Sequence, residues 1–267
     1  MAWGKTVVVV TGASRGIGAA VCERLAPHLG IGSVIIGVAR DETNLERCKS
    51  CVKEANPSVA FISVQQDLSS LEASVVQHAL AQGFEEALRS PGGALSTALM
   101  VHNAGSLGDV IYTKDLNNFA EVSKYYDLNV SSVVVLNAAF LSLAKVQQAA
   151  TPSMTIKVVN ISSICALEPF KSWSLYCSGK AARDMFFRVL AAEEPSVTVL
   201  SYAPGPVDTA MQKEARTNTA DVSLRESFIA KFNAGETLTA SQTVDKMISL
   251  LESGAFTSGG HVDYYDV

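Results

Sequence analysis

Seven short apolar runs rich in β-branched residues, Thr6–Val10, Ser33–Val38, Val59–Val64, Thr97–Val101, Ile156–Ile161, Val197–Ser201 and His261–Tyr264, recur along the chain with longer helical patterns between most of them. Strands that alternate with helices return parallel to one another rather than folding back as hairpins. Right-handed crossovers then place helices on both faces, so the spacing predicts an α/β protein with a doubly wound parallel sheet. No repeat, low-complexity stretch or domain boundary breaks the pattern, and residues 1–267 read as a single domain. With 48% hydrophobic and 18% charged residues, the chain can bury one sizeable core. Gly92 and Gly93 after Pro91 mark a loop, and the polar, poorly periodic Arg216–Thr219 makes the region after Pro206 read as a mobile lid.

The first run leads into Thr11-Gly12-Ala13-Ser14-Arg15-Gly16-Ile17-Gly18 and then a helical pattern. Glycines at such a turn allow positive φ and close approach of a phosphate, and the free N–H groups of the helix start favour an anion. A dinucleotide pyrophosphate suits this turn, although its spacing differs from G-x-G-x-x-G and an ordinary glycine-rich strand–helix connection has the same composition. Tyr176 and Lys180, four residues apart, share one face of a predicted helix. An ammonium beside a phenol favours the phenolate, which makes a candidate proton-transfer pair; alone, the spacing is equally that of an ordinary helix surface. Ser163 emerges at the carboxyl end of the Ile156–Ile161 run, where ligands of open α/β sheets bind. Its hydroxyl can hydrogen-bond the oxygen that Tyr176 protonates, or it can satisfy loop backbone groups.

A net charge of −5 without runs of like charge gives no support to nucleic-acid or anionic-membrane binding, so small molecules are the expected partners. The N-terminal apolar run is too short for a signal peptide or a membrane span, and a cytoplasmic address follows as the expectation. Cys22, Cys48, Cys51, Cys165 and Cys177 lack paired metal-ligand spacing and read as reduced thiols, with no metal expected.

At the end of the second run the chain reads Val38-Ala39-Arg40-Asp41. An acid there would hold the ribose 2′-hydroxyl of NAD, whereas Arg40 together with Arg15 can clamp the 2′-phosphate of NADP. Asp41 is a rival ribose ligand, and Arg40 has the alternative of a solvated residue opening the next helix. On balance the pattern favours NADPH/NADP+.

The glycine turn, Asn103-Ala104-Gly105, Ser163 and Tyr-x-x-x-Lys together resemble the short-chain dehydrogenases/reductases over nearly the whole chain. Longer segments, Asn103–Asp109, Asn160–Lys171, Tyr202–Thr209 and His261–Asp266, resemble a pterin-reducing branch of that family. The resemblance implies a Rossmann-type sheet of about seven strands and NADPH-dependent reduction of side-chain carbonyls on a pterin substrate, with a homodimer through the helices bearing Asn129 and Tyr176. It implies catalytic roles for Ser163, Tyr176, Lys180 and Asn129, the last helping a water reach the lysine; capping or kinking its helix is the other reading of Asn129. It assigns Gly12 to Gly18, Arg40, Asp41, Asp67, Leu68, Asn103, Lys180 and the stretch Val207, Asp208, Thr209, Ala210, Met211, Gln212 to the cofactor. Ser163, Ile164, Tyr176, Gly205 and Asp263 fall to the substrate, Asp263 by pairing its carboxylate with the guanidine-like edge of a pterin. Without the resemblance Asp263 reads as a solvated residue near the chain end. His102, where the family usually has a second asparagine, reads as a packed strand-end residue. A broad-specificity carbonyl reductase shares every one of these catalytic residues, and an NADP(H)-binding sensor or scaffold is the non-enzymatic alternative.

Overall fold

The computed structural model describes residues 3–266. Seven strands, β1 (Lys5–Thr11), β2 (Val34–Ala39), β3 (Ala60–Gln65), β4 (Leu95–His102), β5 (Thr155–Ile161), β6 (Val197–Ala203) and β7 (His261–Asp263), form one sheet in the order β3-β2-β1-β4-β5-β6-β7. Every neighbouring pair is parallel. All seven runs expected from the sequence are strands, with ends differing by one or two residues.

Among the described residues nine α-helices connect and flank them: α1 (Gly16–Leu25), α2 (Glu42–Ala55), α3 (Ala73–Arg89), α4 (Phe119–Tyr126), α5 (Ser132–Ala150), α6 (Ser174–Glu193), α7 (Ala210–Asn218), α8 (Val222–Asn233) and α9 (Ala240–Ser253). Strand β1 shows why its sequence is apolar without alternation, because both of its faces are covered. Val7 and Val9 pack with Phe84, Phe140 and Phe187 from α3, α5 and α6, while Val8 and Val10 pack with Leu25, Leu45 and Met247 from α1, α2 and α9. Strand order reverses between β1 and β4, and this switch point opens a cleft at their carboxyl ends.

Between α4 and α5 the helix continues through a π turn, Asp127–Ser131, so residues 119–150 form one continuous helical rod. By length and composition this rod could cross a membrane, but Val133, Leu136, Phe140 and Ala144 bury one side of it against the sheet. Its outer side exposes Val134, Val135 and Val146.

The segment after Pro206, read from its polarity as a mobile lid, forms α7 and α8. Thr209 and Asp221 cap α7 and α8, accepting hydrogen bonds from the backbone N–H of Gln212 and Leu224. Arg216 and Thr219 of this stretch face inward, while Thr217 and Asn218 are exposed. Arg216 stacks on Phe232 with 3.6 Å to the ring centroid, and the fully buried Thr219 hydroxyl accepts from Trp173 Nε1 at 3.0 Å.

Candidate active site

Strand β1 ends in a turn whose backbone is wrapped closely on its neighbours. Gly12 has φ +70° and Gly16 φ +56°, and a Cβ on Gly18 would lie 2.2 Å from the Gly12 carbonyl oxygen. Only glycine fits there. Asn103 at the end of β4 braces the turn: its Nδ2 donates to the carbonyls of Thr11 and Gly12 at 3.0 and 3.3 Å, while Thr11 Oγ1 accepts from Asn103 N and Ala104 N. The Asn103 amide is therefore spent on shaping the turn. Arg15 precedes α1 in an extended conformation and its side chain makes no capping bond, which leaves the first-turn N–H groups facing the cleft.

The cleft measures about 610 Å³ and is walled by Gly12, Ser14, Arg15, Gly16 and Ile17 on one side. Arg40, Asp41 and Leu68, then Asn103, Ala104, Gly105 and Leu128, and Asp208, Thr209, Ala210 and Met211 complete its lining. A glycine cradle, a helix N-terminus and two arginines in one elongated cleft fit a dinucleotide carrying an extra phosphate. Four expected cofactor residues stand behind this wall. Ala13 is fully buried and Gly18 packs under Gly12. Val207 is buried beside Leu238, and the amide of Gln212 is buried without a partner among the described residues.

Two of the acids have structural duties. Asp41 caps α2, accepting from Asn44 N at 3.0 Å and Asn44 Nδ2 at 2.6 Å, and these bonds hold its carboxyl below the ordinary range. Asp41 also lines the cleft beside Arg40, so it keeps its place as a candidate ribose ligand. Asp67 accepts from Ser69 N and Ser69 Oγ and lies 3.9 Å from Arg40, whose guanidinium is two-thirds exposed at the cleft end.

Beyond Gly105 the second half of the site is assembled from β5, the π turn and α6. Ser163 follows β5 and Tyr176 and Lys180 lie on the buried face of α6, both at 8% exposure or less. Lys180 Nζ donates to the Ile161 carbonyl at 2.6 Å and sits 5.5 Å from the centre of the Tyr176 ring. Burial, and next the Arg183 guanidinium, push the Lys180 ammonium well below its ordinary value. Burial pushes the Tyr176 phenol up, with a hydrogen bond to Ser163 opposing the rise. This differs from the expectation that the lysine would pull the tyrosine down: desolvation outweighs a charge that is itself weakened by burial.

Asn129 occupies the π turn. Its Nδ2 donates to the Tyr125 carbonyl at 2.9 Å, a group the widened turn releases, and its Oδ1 accepts from Ser106 N at 2.9 Å. Asn129 thus stands inside the π turn that interrupts the α-helical ladder. Of the substrate residues, Ile164 is partly exposed beside Ser163. Gly205 has φ +72°, and a Cβ there would approach Leu238, Tyr264 and Tyr265. Asp263 ends β7; its Oδ1 accepts from Tyr265 N at 3.1 Å, and among the described residues its Oδ2 accepts no bond.

A charged network beneath these residues was not anticipated. Arg183, 1% exposed, donates to Asn160 Oδ1 and to the carbonyls of His102 and Ala104. Asp184 accepts from Asn160 Nδ2 at 2.8 Å, Ser162 Oγ at 2.5 Å and pairs with His261 Nδ1 at 2.6 Å. The sequence signal was available: Arg183 and Asp184 fall seven and eight residues after Tyr176, on the stripe that α6 turns to the sheet.

Residues 6–220 match the family model described as short chain dehydrogenase. Sepiapterin reductase of Meriones unguiculatus is 43% identical over 264 residues, covering 98% of this chain and 97% of that protein. Sepiapterin reductase of Rattus norvegicus is also 43% identical, covering 99% and 98%. Among solved structures, a short-chain dehydrogenase/reductase from Saccharomyces cerevisiae superposes with a TM-score of 0.79 at 29% identity, covering 98% of this chain and 97% of that one.

Proposed function

The chain belongs to the short-chain dehydrogenase family, and we propose that it is an NADPH-dependent pterin carbonyl reductase, converting sepiapterin to dihydrobiopterin and 6-pyruvoyl-tetrahydropterin to tetrahydrobiopterin. The observation that carries this reading is the 43% identity to sepiapterin reductases over 98–99% of the chain. The glycine turn would hold the cofactor pyrophosphate, and Arg15 and Arg40 its 2′-phosphate. NADPH, when bound, supplies the hydride.

The chain's own residues handle the oxygen. Ser163 and Tyr176 hydrogen-bond the substrate carbonyl and so stabilise the negative charge that develops there. A phenol pushed up by burial holds its proton at neutral pH and releases it to that oxygen as an alkoxide forms. Lys180, anchored on the Ile161 carbonyl, lies below the tyrosine ring as the next proton carrier, and Asn129 keeps the π turn open beside it. Asp263 grips the amino-pyrimidine edge of the pterin through its unengaged oxygen. The exposed apolar residues Val134, Val135 and Val146 of α5, with Met185 and Val189 of α6, suit a homodimer interface, and we read the protein as a cytoplasmic one.

The test follows NADPH absorbance with sepiapterin, then with NADH, then with a simple dicarbonyl. NADPH-selective turnover of sepiapterin at low substrate is expected. Turnover of the dicarbonyl alone would reassign the protein as a broad carbonyl reductase. Asp263→Asn is expected to raise KM for sepiapterin roughly tenfold or more, the value of a lost charge-assisted bond, and to spare the dicarbonyl; equal losses on both substrates would remove Asp263 from the pterin site.

A further inference from the structure

Helix α6 joins the parallel neighbours β5 and β6, so it runs against them and its start lies toward the cleft. Strand β7 runs with β6, so its end lies toward the cleft as well. Away from the cleft the two elements are pinned together: among the described residues one side-chain hydrogen bond joins them, from His261 Nδ1 to Asp184 Oδ2 at 2.6 Å. From Asp184 the helix reaches back about 12 Å to Tyr176. From His261 the strand advances about 7 Å to Asp263. Residues two apart on a strand share a face, so His261 and Asp263 project on the α6 side of the sheet, while Val262 packs with the opposite cluster, that of Val8 and Met247.

Asp184 is not free to follow β7. Its Oδ1 accepts from Asn160 Nδ2 at 2.8 Å and from Ser162 Oγ at 2.5 Å, and Ser162 adjoins Ser163. His261 is held by less: its Nε2 is buried with no partner among the described residues, which leaves the bond to Asp184. Strand β7 is three residues long and pairs with β6 alone, so its ladder gives it little stiffness. The turn before it is secured separately by Ser258, whose Oγ accepts from Val199 N and donates to the Val197 carbonyl. The imidazole therefore decides where β7 lies relative to α6.

We propose that His261 is a positioning residue that makes this site selective for a pterin over a small carbonyl compound, by fixing the spacing between Asp263 and the oxygen site of Ser163 and Tyr176. This role rests on the pterin reading. A pterin with its side-chain carbonyl at Ser163 and Tyr176 and its ring edge at Asp263 is held at two points, and their separation must match it. A small dicarbonyl is held at the oxygen site alone and is indifferent to β7. Without the imidazole, Asp263 drifts with its strand while Asp184 keeps Asn160 and Ser162 in place.

The experiment measures kcat and KM for sepiapterin and for a small dicarbonyl in the parent, His261→Leu, His261→Asn, Asp263→Asn and the Asp263→Asn, His261→Leu double variant. His261→Leu keeps the bulk and loses the donor; it is expected to raise KM for sepiapterin roughly tenfold and to leave the dicarbonyl within about twofold. His261→Asn puts an amide N–H near the place of Nδ1 and should bring KM for sepiapterin back to within about threefold of the parent. On the Asp263→Asn background His261→Leu should add less than about twofold, because a residue acting through Asp263 has nothing left to position. Equal losses on both substrates, a full second loss on the Asp263→Asn background, or His261→Asn as impaired as His261→Leu overturns the proposal. A parent that turns over the dicarbonyl alone removes the pterin reading and this role with it. A parent whose KM for sepiapterin responds to Asp263→Asn and not to His261→Leu overturns this role and leaves the pterin reading standing. Should His261→Leu fail to fold, His261→Ala carries the same comparison; failure of both where His261→Asn folds makes the contact one of stability and overturns the proposal.

Discussion

Tyr176 is enclosed by Trp173, whose ring meets it edge-on at 5.4 Å, so a phenylalanine would keep the packing and remove only the hydroxyl. Tyr176→Phe is therefore expected to lower kcat roughly 10²–10⁴-fold while NADPH affinity, measured by fluorescence titration, stays within about twofold. His102 offers a pH test. Burial first, then the Arg183 charge, take its imidazole down to about 3 from an ordinary 6.5. Between those values the unfolded chain binds a proton that the folded chain refuses, so stability falls as the pH drops below 6.5. The loss amounts to about 2 kcal/mol near pH 5. His102→Asn, with a side chain that does not titrate, should flatten the dependence of Tm on pH over this window. Tyr176, Lys180 and Ser163 were legible in the sequence because spacing on one helix and one strand end brings them together. The Arg183–Asn160 and Asp184–His261 contacts were not, since their partners come from separate strands and only sheet order makes them neighbours.

Secondary-structure elements were read with similar unevenness. Strand positions followed from apolar runs buried on both faces, a signal that needs no knowledge of partners. The π turn at Asp127–Ser131 left no periodic mark, and the polarity around Arg216 misled because its charge lies over Phe232 rather than in water. The connection from β2 to α2 carries the cofactor prediction. Asp41 caps α2, and the exposed Arg40 beside it has a 3.9 Å pairing to Asp67. Arg40→Ser should raise the KM for NADPH roughly tenfold and leave that for NADH nearly unchanged, the effect of removing a charge-assisted phosphate contact. Equal changes for both cofactors would place Arg40 outside the 2′-phosphate site.

At the scale of the whole molecule the site is a seam between two halves of one sheet. The glycine turn and β1–β3 build one bank, β5–β7 and α6 the other, and β4 joins them through Asn103 and Ala104. Arg183 crosses that seam, reaching from α6 to carbonyls at the end of β4 and an amide on β5. Lifting α6 from the sheet would strand a guanidinium and three acceptors at once, a penalty of several kcal/mol for a buried ionic network broken on one side. Helix α6 is thus denied any private opening and must share the fate of the core. Deuterium should accordingly enter the amides around Tyr176 and Lys180 as slowly as those of β1, through global unfolding alone, and Arg183→Met should release this helix to exchange faster than β1, giving it a cooperative unit of its own.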